Sequence, residues 1–331
     1  MIETKNAEFP PKPPGAINAL LNGFNAIATN IIVILFPAAL DVFLWLGPRL
    51  KAYALFLPII QEIMDFPQQD AVPPFGITPD GITKISKFWA DFNFFSLLRT
   101  YPLGVFSLMP GNRSGASPLG ARIDWEIPNV LVLISASFLL VCAGLFLGSL
   151  YFYFVSRVAL KPKNGPNIFR ATFHSLIVWV ALTITTCFVA MPVLILGAFL
   201  LNNEIVTLLL FLLLAWPATW LGLMVFFSTH GVFILSKNAF STITHNFRIL
   251  RYGMPPMGWF ALIAIIISQG MDLIWLNPTT DTWMALVGIL GHAFISTGLL
   301  AASFIFYRDM NNWVDEALAW VKTHQITSAR A

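Results

Sequence analysis

Six stretches of the chain run for about 20 residues or more with almost no charged side chain: 25–47, 127–154, 176–201, 205–234, 257–276 and 283–307. A helix needs about 20 mostly apolar residues to cross the ~30 Å hydrocarbon layer of a bilayer, and each stretch meets that length. Composition agrees. Charged residues make up 11% and hydrophobic ones 57% of the 331 residues, whereas soluble domains carry about 25% charge. So few polar groups cannot cover a water-facing fold of this size. The same balance excludes an intrinsically disordered chain and a nucleic-acid-binding domain, and two cysteines exclude a disulfide-stapled scaffold. The sequence therefore predicts an all-α polytopic transmembrane helix bundle, with membrane lipid as its first partner and no nucleic acid.

Orientation follows from lysine and arginine in the short connections. Arg157, Lys161, Lys163 and Arg170 follow the second stretch; Lys237, Arg248 and Arg251 follow the fourth; Arg308, Lys322 and Arg330 lie in the tail. The connections Asn202-Asn203-Glu204 and 277–282 hold no basic residue. They are tight turns, so spans three and four, and five and six, pair as antiparallel hairpins. These charges put both termini, with Lys5 and Lys12, in the cytoplasm of a cell (inner) membrane protein. Arg49 and Lys51 weaken that assignment for span one, and Ala52-Tyr53-Ala54 has the small-residue spacing of a signal-peptidase site. Five spans after cleavage fit the other charges equally well.

The basic connections are themselves patterned. From Lys237 to Tyr252, Phe240, Ile243, Phe247 and Leu250 recur at helical spacing, with Lys237, Ser241, Thr244 and Arg248 on a neighbouring face. Asn238-Ala239-Phe240 with His245 matches Asn167-Ile168-Phe169 with His174, 71 residues earlier, and Asn18-Ala19-Leu20 precedes span one. The spacing predicts six spans in three hairpins, each with an amphipathic lead helix, the first interrupted by a long insertion. The expected organisation is a Pro-rich cytoplasmic tail and lead (1–24), span one (25–47), an outer insertion (48–126), spans two to six (127–307) and an amphipathic C-terminal helix (308–331).

Six spans with Asn-Ala-Phe leads resemble a group of uncharacterised bacterial membrane proteins related to the membrane domain attached to some glycerophosphodiester phosphodiesterases. The likeness lies mainly in 167–309. This chain holds no soluble phosphodiesterase domain, so that chemistry carries over to no residue here, and the long insertion departs from the group.

Within the insertion, Ala52 to Met64 is apolar but half a span long and contains Pro58, as an interfacial or re-entrant piece would. Ile85, Phe88, Phe92 and Phe95 recur at helical spacing, which predicts an aromatic helix in the headgroup region, part of an outer interfacial cap. Glu62, Asp65, Asp70 and Asp80 are too irregularly spaced for a calcium loop. Asn112-Arg113-Ser114 fits a glycosylation sequon.

Ionisable residues inside spans are expensive and so are functional candidates. Asp41, Asp272 and His292 all fall in the outer halves of their spans, and with Gln269 and Arg49 they can line a polar vestibule for an ion, a proton or a lipid headgroup. The plainer expectation pairs Asp41 with Arg49 or a helix end and has Asp272 cap a neighbouring helix. His174, His245 and His230 lack a spacing that fixes a metal or haem, so neither metal nor cofactor is expected. Cys142 and Cys187 read as small packing residues, and Gly144-x-x-x-Gly148 and the Ala293, Thr297, Ala301 stripe as close helix contacts. No His-Glu-x-x-His, Walker loop or Gly-x-Ser-x-Gly elbow is present. The leading expectation is a non-enzymatic accessory or assembly factor that engages lipid, a membrane partner or its own copies. A small secondary transporter or channel comes second, and a membrane-embedded lipid-modifying enzyme third.

Overall fold

The computed structural model describes residues 11–64, 79–109, 116–162, 167–200, 204–235 and 238–328. Lys5, Lys163, Lys237, Arg330, Asp65, Asp70, the Asn112 sequon and the Asn202-Asn203 turn lie outside the described residues. The fold is all-α. Its helices are α1 (Ala16–Ala28), α2 (Leu35–Leu46), α3 (Tyr53–Met64), α4 (Pro79–Asp91), α5 (Val130–Leu160), α6 (Ile168–Leu200), α7 (Glu204–Phe227), α8 (His230–Leu235), α9 (Ala239–Trp275) and α10 (Met284–Ser328). Among the described residues, five helices are long and apolar enough to cross a membrane, or six if a broken pair counts as one.

That broken pair covers the predicted lead and first span, and its break falls inside the stretch expected to span, 25–47. The chain leaves α1 at Thr29 and Asn30, whose side chains bond back to the carbonyls of Asn25 and Ala26. These bonds satisfy acceptors that a helix end leaves open. A short 3-10 turn, Ile31–Ile34, then leads into α2. Elsewhere the predicted segments are continuous. The lead before span three runs unbroken into α6, and α10 continues for 45 residues from the last span into the tail, about 67 Å at 1.5 Å per residue. In α9 the lead and the span meet at Gly253, where the backbone leaves helical geometry (φ −117°, ψ 17°) just before Pro255 and Pro256. Proline supplies no N–H to the preceding turn, so a bend there is expected.

Two compact units emerge from the contacts. One comprises the described parts of Met1–Asn30, Phe152–Ser268 and Gly298–Ala331, the other Ile31–Tyr151 and Gln269–Thr297. In the first, positions 71 residues apart share a burial pattern. Ala171, Ser175 and Val178 of α6 are buried, as are their counterparts Thr242, Asn246 and Ile249 of α9. Phe169 and Phe240 are exposed to nearly the same degree, 79% and 78%. Asn167 caps α6 through its Oδ1, which accepts the Phe169 N–H at 2.9 Å, and Asn238 immediately precedes α9, its carbonyl accepting the Thr242 N–H. Asn18 departs from the pattern, because α1 begins earlier, at Ala16, with Gly15 as its N-cap. The core of this unit is aromatic: Phe260 stacks on Phe306 with centroids 4.4 Å apart, and Phe227 lies against Tyr307.

The second unit holds most of the insertion and a feature the sequence does not announce. Arg49–Lys51 (β1) pairs in parallel with Asp124–Glu126 (β2), tying the two ends of the insertion together. Three-residue strands carry no hydrophobic period, which is why the pattern misses them. Helix α4 ends at Asp91, earlier than the aromatic spacing predicts. Phe94 and Phe95 belong instead to a 3-10 turn, Phe94–Leu98, whose start is fixed by Asn93 Oδ1 accepting the Phe95 N–H. Helices α3 and α4 pack together, with Phe56 stacked on Trp89 at 4.0 Å, beside a small core of Ala52, Phe94 and Ile127.

Asp124 holds the ribbon. It accepts from Arg49 Nε at 2.6 Å and from Lys51 Nζ at 2.9 Å. Partial burial alone would raise its carboxyl, but the hydrogen bonds and charges of Arg49 and Lys51 outweigh that and hold it below the usual carboxylate range. The folded form thus binds its proton less readily than the unfolded chain. Its contribution is complete above the ordinary carboxylate range and is lost as pH falls through it, below about pH 4. Amide exchange in 49–51 and 123–127, corrected for intrinsic rates, should rise in acid in the wild type. Asp124→Asn should exchange faster at neutral pH and lose that acid step.

Candidate functional site

The candidate site lies within the second unit and is built on a loop. Residues 98–109 run against α5 where it has no side chains to obstruct them. A Cβ on Gly144 would fall 2.6 Å from the Leu98 carbonyl oxygen, and one on Gly148 would fall 2.5 Å from Gly104 Cα. The Gly-x-x-x-Gly pair therefore seats irregular backbone, where the sequence led us to expect another helix. Further along, Phe106 meets Tyr151 edge-on at 6.2 Å. Along α5, Gly144 and Gly148 are about 21 and 27 Å from Val130, so this part of the insertion runs beside the helix, where the sequence predicts an outer interfacial cap.

Non-helical backbone at membrane depth is tolerated only if its polar groups are satisfied within the protein. One buried and two half-buried side chains do this here. Asp41 of α2, 0% exposed, accepts from Ser107 Oγ, from the Leu108 N–H at 3.0 Å and from the Met109 N–H at 3.1 Å. Arg99 donates to the Met109 carbonyl at 2.9 Å, and Thr100 Oγ1 to the Leu103 carbonyl at 2.6 Å. Asp41 is thus a clasp for the loop, its partners lying far from it in sequence.

Beside the clasp is a pair. His292 Nδ1 lies 2.8 Å from Asp272 Oδ1, with side-chain exposures of 7% and 23%. The carboxylate orients the ring, with Nδ1–H as donor, and leaves Nε2 buried without a hydrogen-bond partner. Arg99 interacts electrostatically with both Asp41 and Asp272, and Asp41 with His292. Arg99 is thus within electrostatic reach of both carboxylates, and the imidazole is held by one of them.

The sequence picks out Asp41, Asp272 and His292, and these come together. The other two candidates do not join them. Arg49, on β1, is held by Asp124 of β2, and Gln269 is exposed on α9. Arg99 and Ser107 were missed because the insertion reads as an outer cap. The available signal was an Arg inside Leu97-Leu98-Arg99-Thr100-Tyr101-Pro102-Leu103-Gly104-Val105-Phe106, an apolar run too rich in Pro and Gly for a helix. Among the described residues no cluster of three or more His, Cys, Asp or Glu is placed to hold a metal. Cys142 and Cys187 are free and exposed on their helices. In the first unit, His230 Nε2 lies 2.8 Å from Ser303 Oγ and His245 bonds Asn311, so both histidines serve local contacts.

Fold and site together define an all-α chain of membrane-length apolar helices with an internally clasped loop. No family model matches the chain, and neither a curated protein nor a solved structure matches it.

Proposed function

We propose that this is a multi-pass protein of the cell (inner) membrane, with cytoplasmic termini, that acts without covalent chemistry as an accessory or assembly factor engaging lipid or a membrane partner. One observation carries this reading. In its most apolar window α10 has 61% of its residues buried, whereas α5 has 11%, α6 17% and α9 22%. Apolar surface on this scale must be covered by lipid or by other helices, because water does not wet it at low cost. The likeness of 167–309 to six-span bacterial proteins belongs to the same proposal. Native mass spectrometry of the full chain tests it: a protein partner or a second copy should remain bound at fixed stoichiometry. A monomer that retains only exchangeable lipid in mild detergent and in native nanodiscs would overturn it.

The unpartnered Nε2 of His292 beside Asp272 favours a second reading, a proton- or cation-coupled pathway. In that case Asp272→Asn should abolish ion-driven uptake in proteoliposomes while leaving protein abundance unchanged. Uptake that survives the substitution removes this reading.

A further inference from the structure

The first unit carries a groove of about 430 Å³ between the lead of α9 and the far end of α10. Its lining includes Arg248, Arg251 and Lys322 against a single carboxylate, Asp315. Asp315 is taken by Arg248. Among the described residues no ion pair engages Arg251 or Lys322, and the Arg251 guanidinium instead lies 5.8 Å from the Tyr252 ring centroid. The groove therefore presents an unneutralised guanidinium and ammonium on one wall each, a geometry suited to an oxyanion with several acceptor oxygens.

Its place in the chain indicates which oxyanion. Arg251 and Tyr252 immediately precede Gly253, the point at which the amphipathic lead bends into the apolar span. Phe247 and Tyr252 line the same groove and are exposed, 52% and 47%. Aromatic rings at the end of a span favour the membrane–water boundary, and basic pockets beside spans are suited to anionic headgroups. The cations and the aromatics thus sit where phosphates are most concentrated.

We infer that the groove formed by Arg248, Arg251 and Lys322 is a binding site for the phosphate of an anionic phospholipid headgroup. The inference rests on the membrane placement proposed above but not on an accessory role. A chain that proves to be a transporter, or that has no protein partner, is equally able to carry the site.

The test is a native mass spectrometry titration of the full chain in neutral detergent, with phosphatidic acid and phosphatidylcholine of identical acyl chains. The wild type should retain phosphatidic acid preferentially. Each cation near a charged headgroup is worth about fivefold in affinity, so R251Q/K322Q should weaken phosphatidic acid retention about 25-fold while leaving phosphatidylcholine unchanged. Asp315→Asn frees Arg248 and should tighten phosphatidic acid binding, a gain that misfolding cannot produce. Lys84→Gln, on helix α4 of the second unit and outside the groove lining, should change nothing. Equal retention of the two lipids by the wild type overturns the site, as does a preference that R251Q/K322Q leaves intact. Inorganic phosphate that binds as tightly, with the same dependence on Arg251 and Lys322, overturns the headgroup assignment in favour of a free phosphate anion.

Discussion

Asp41→Ala should remove most of the folded protein. The substitution leaves the Leu108 N–H buried without its acceptor and reduces the Ser107 hydroxyl and the Met109 N–H to the longer contacts between those two residues, and an unsatisfied buried donor costs about 1–3 kcal/mol. Arg99, half-buried, also loses one of its two nearby negative charges and is left with Asp272 alone. The sum is several kcal/mol, against a typical total stability of about 5–15 kcal/mol. Ser107→Ala removes one donor together with its need for an acceptor, so its effect should be close to 1 kcal/mol. Asp41→Asn keeps one acceptor oxygen but turns an NH2 group toward the loop amides, and should fall between the two. Monodisperse yield after detergent extraction and thermal midpoint measure the series. The clasp is refuted if Asp41→Ala matches the wild type in both. Asp272→Asn should not follow this pattern, because Asp272 is partly exposed and holds one imidazole, not three donors.

How far the sequence reads through to the fold depends on which forces leave a local trace. The span-forming helices are legible because apolar length is itself the requirement for crossing lipid. The break at Thr29–Asn30 is not, because hydropathy averages over it while hydrogen bonds to Asn25 and Ala26 decide it. Helix α10 outruns its span because the stretch after Gly298 contains no Gly or Pro to stop it, and charge ends an apolar run without ending a helix. At the site, Asp41, Asp272 and His292 are legible because a charge within a span demands an explanation. Their partners are not. Arg49 looks like the counter-charge of Asp41 from eight residues away, yet strand pairing with Asp124 claims it. The actual partners of Asp41 are 66 to 68 residues away, and no local pattern encodes such a contact.

The G144A/G148A double variant should release the loop without unfolding the helices. Alanine is the smallest possible addition, but at Gly148 its Cβ would meet Gly104 Cα at 2.5 Å, Gly104 N at 2.8 Å and the Leu103 carbonyl oxygen at 2.9 Å. At Gly144 it would meet the Leu98 carbonyl oxygen at 2.6 Å. All of these are backbone atoms, so no rotamer change relieves the clash and the loop must move. Overpacking of this kind costs about 1–3 kcal/mol per site. Displacement then adds a second loss, because 98–109 is held by a few polar contacts that shift together. If the Leu108 and Met109 amides withdraw from Asp41, they lose an acceptor that lipid cannot replace. Amide exchange across 98–109 should therefore increase sharply while far-ultraviolet helicity stays near that of the wild type. Gly222→Ala and Gly258→Ala provide the contrast: both glycines are helical, and a Cβ on either meets nothing within 4 Å. Each should be neutral or stabilising by up to about 1 kcal/mol. If the glycine pair instead seats a helix of a second copy, as such pairs do in many membrane proteins, the double variant will change oligomeric state and leave exchange in 98–109 unaltered.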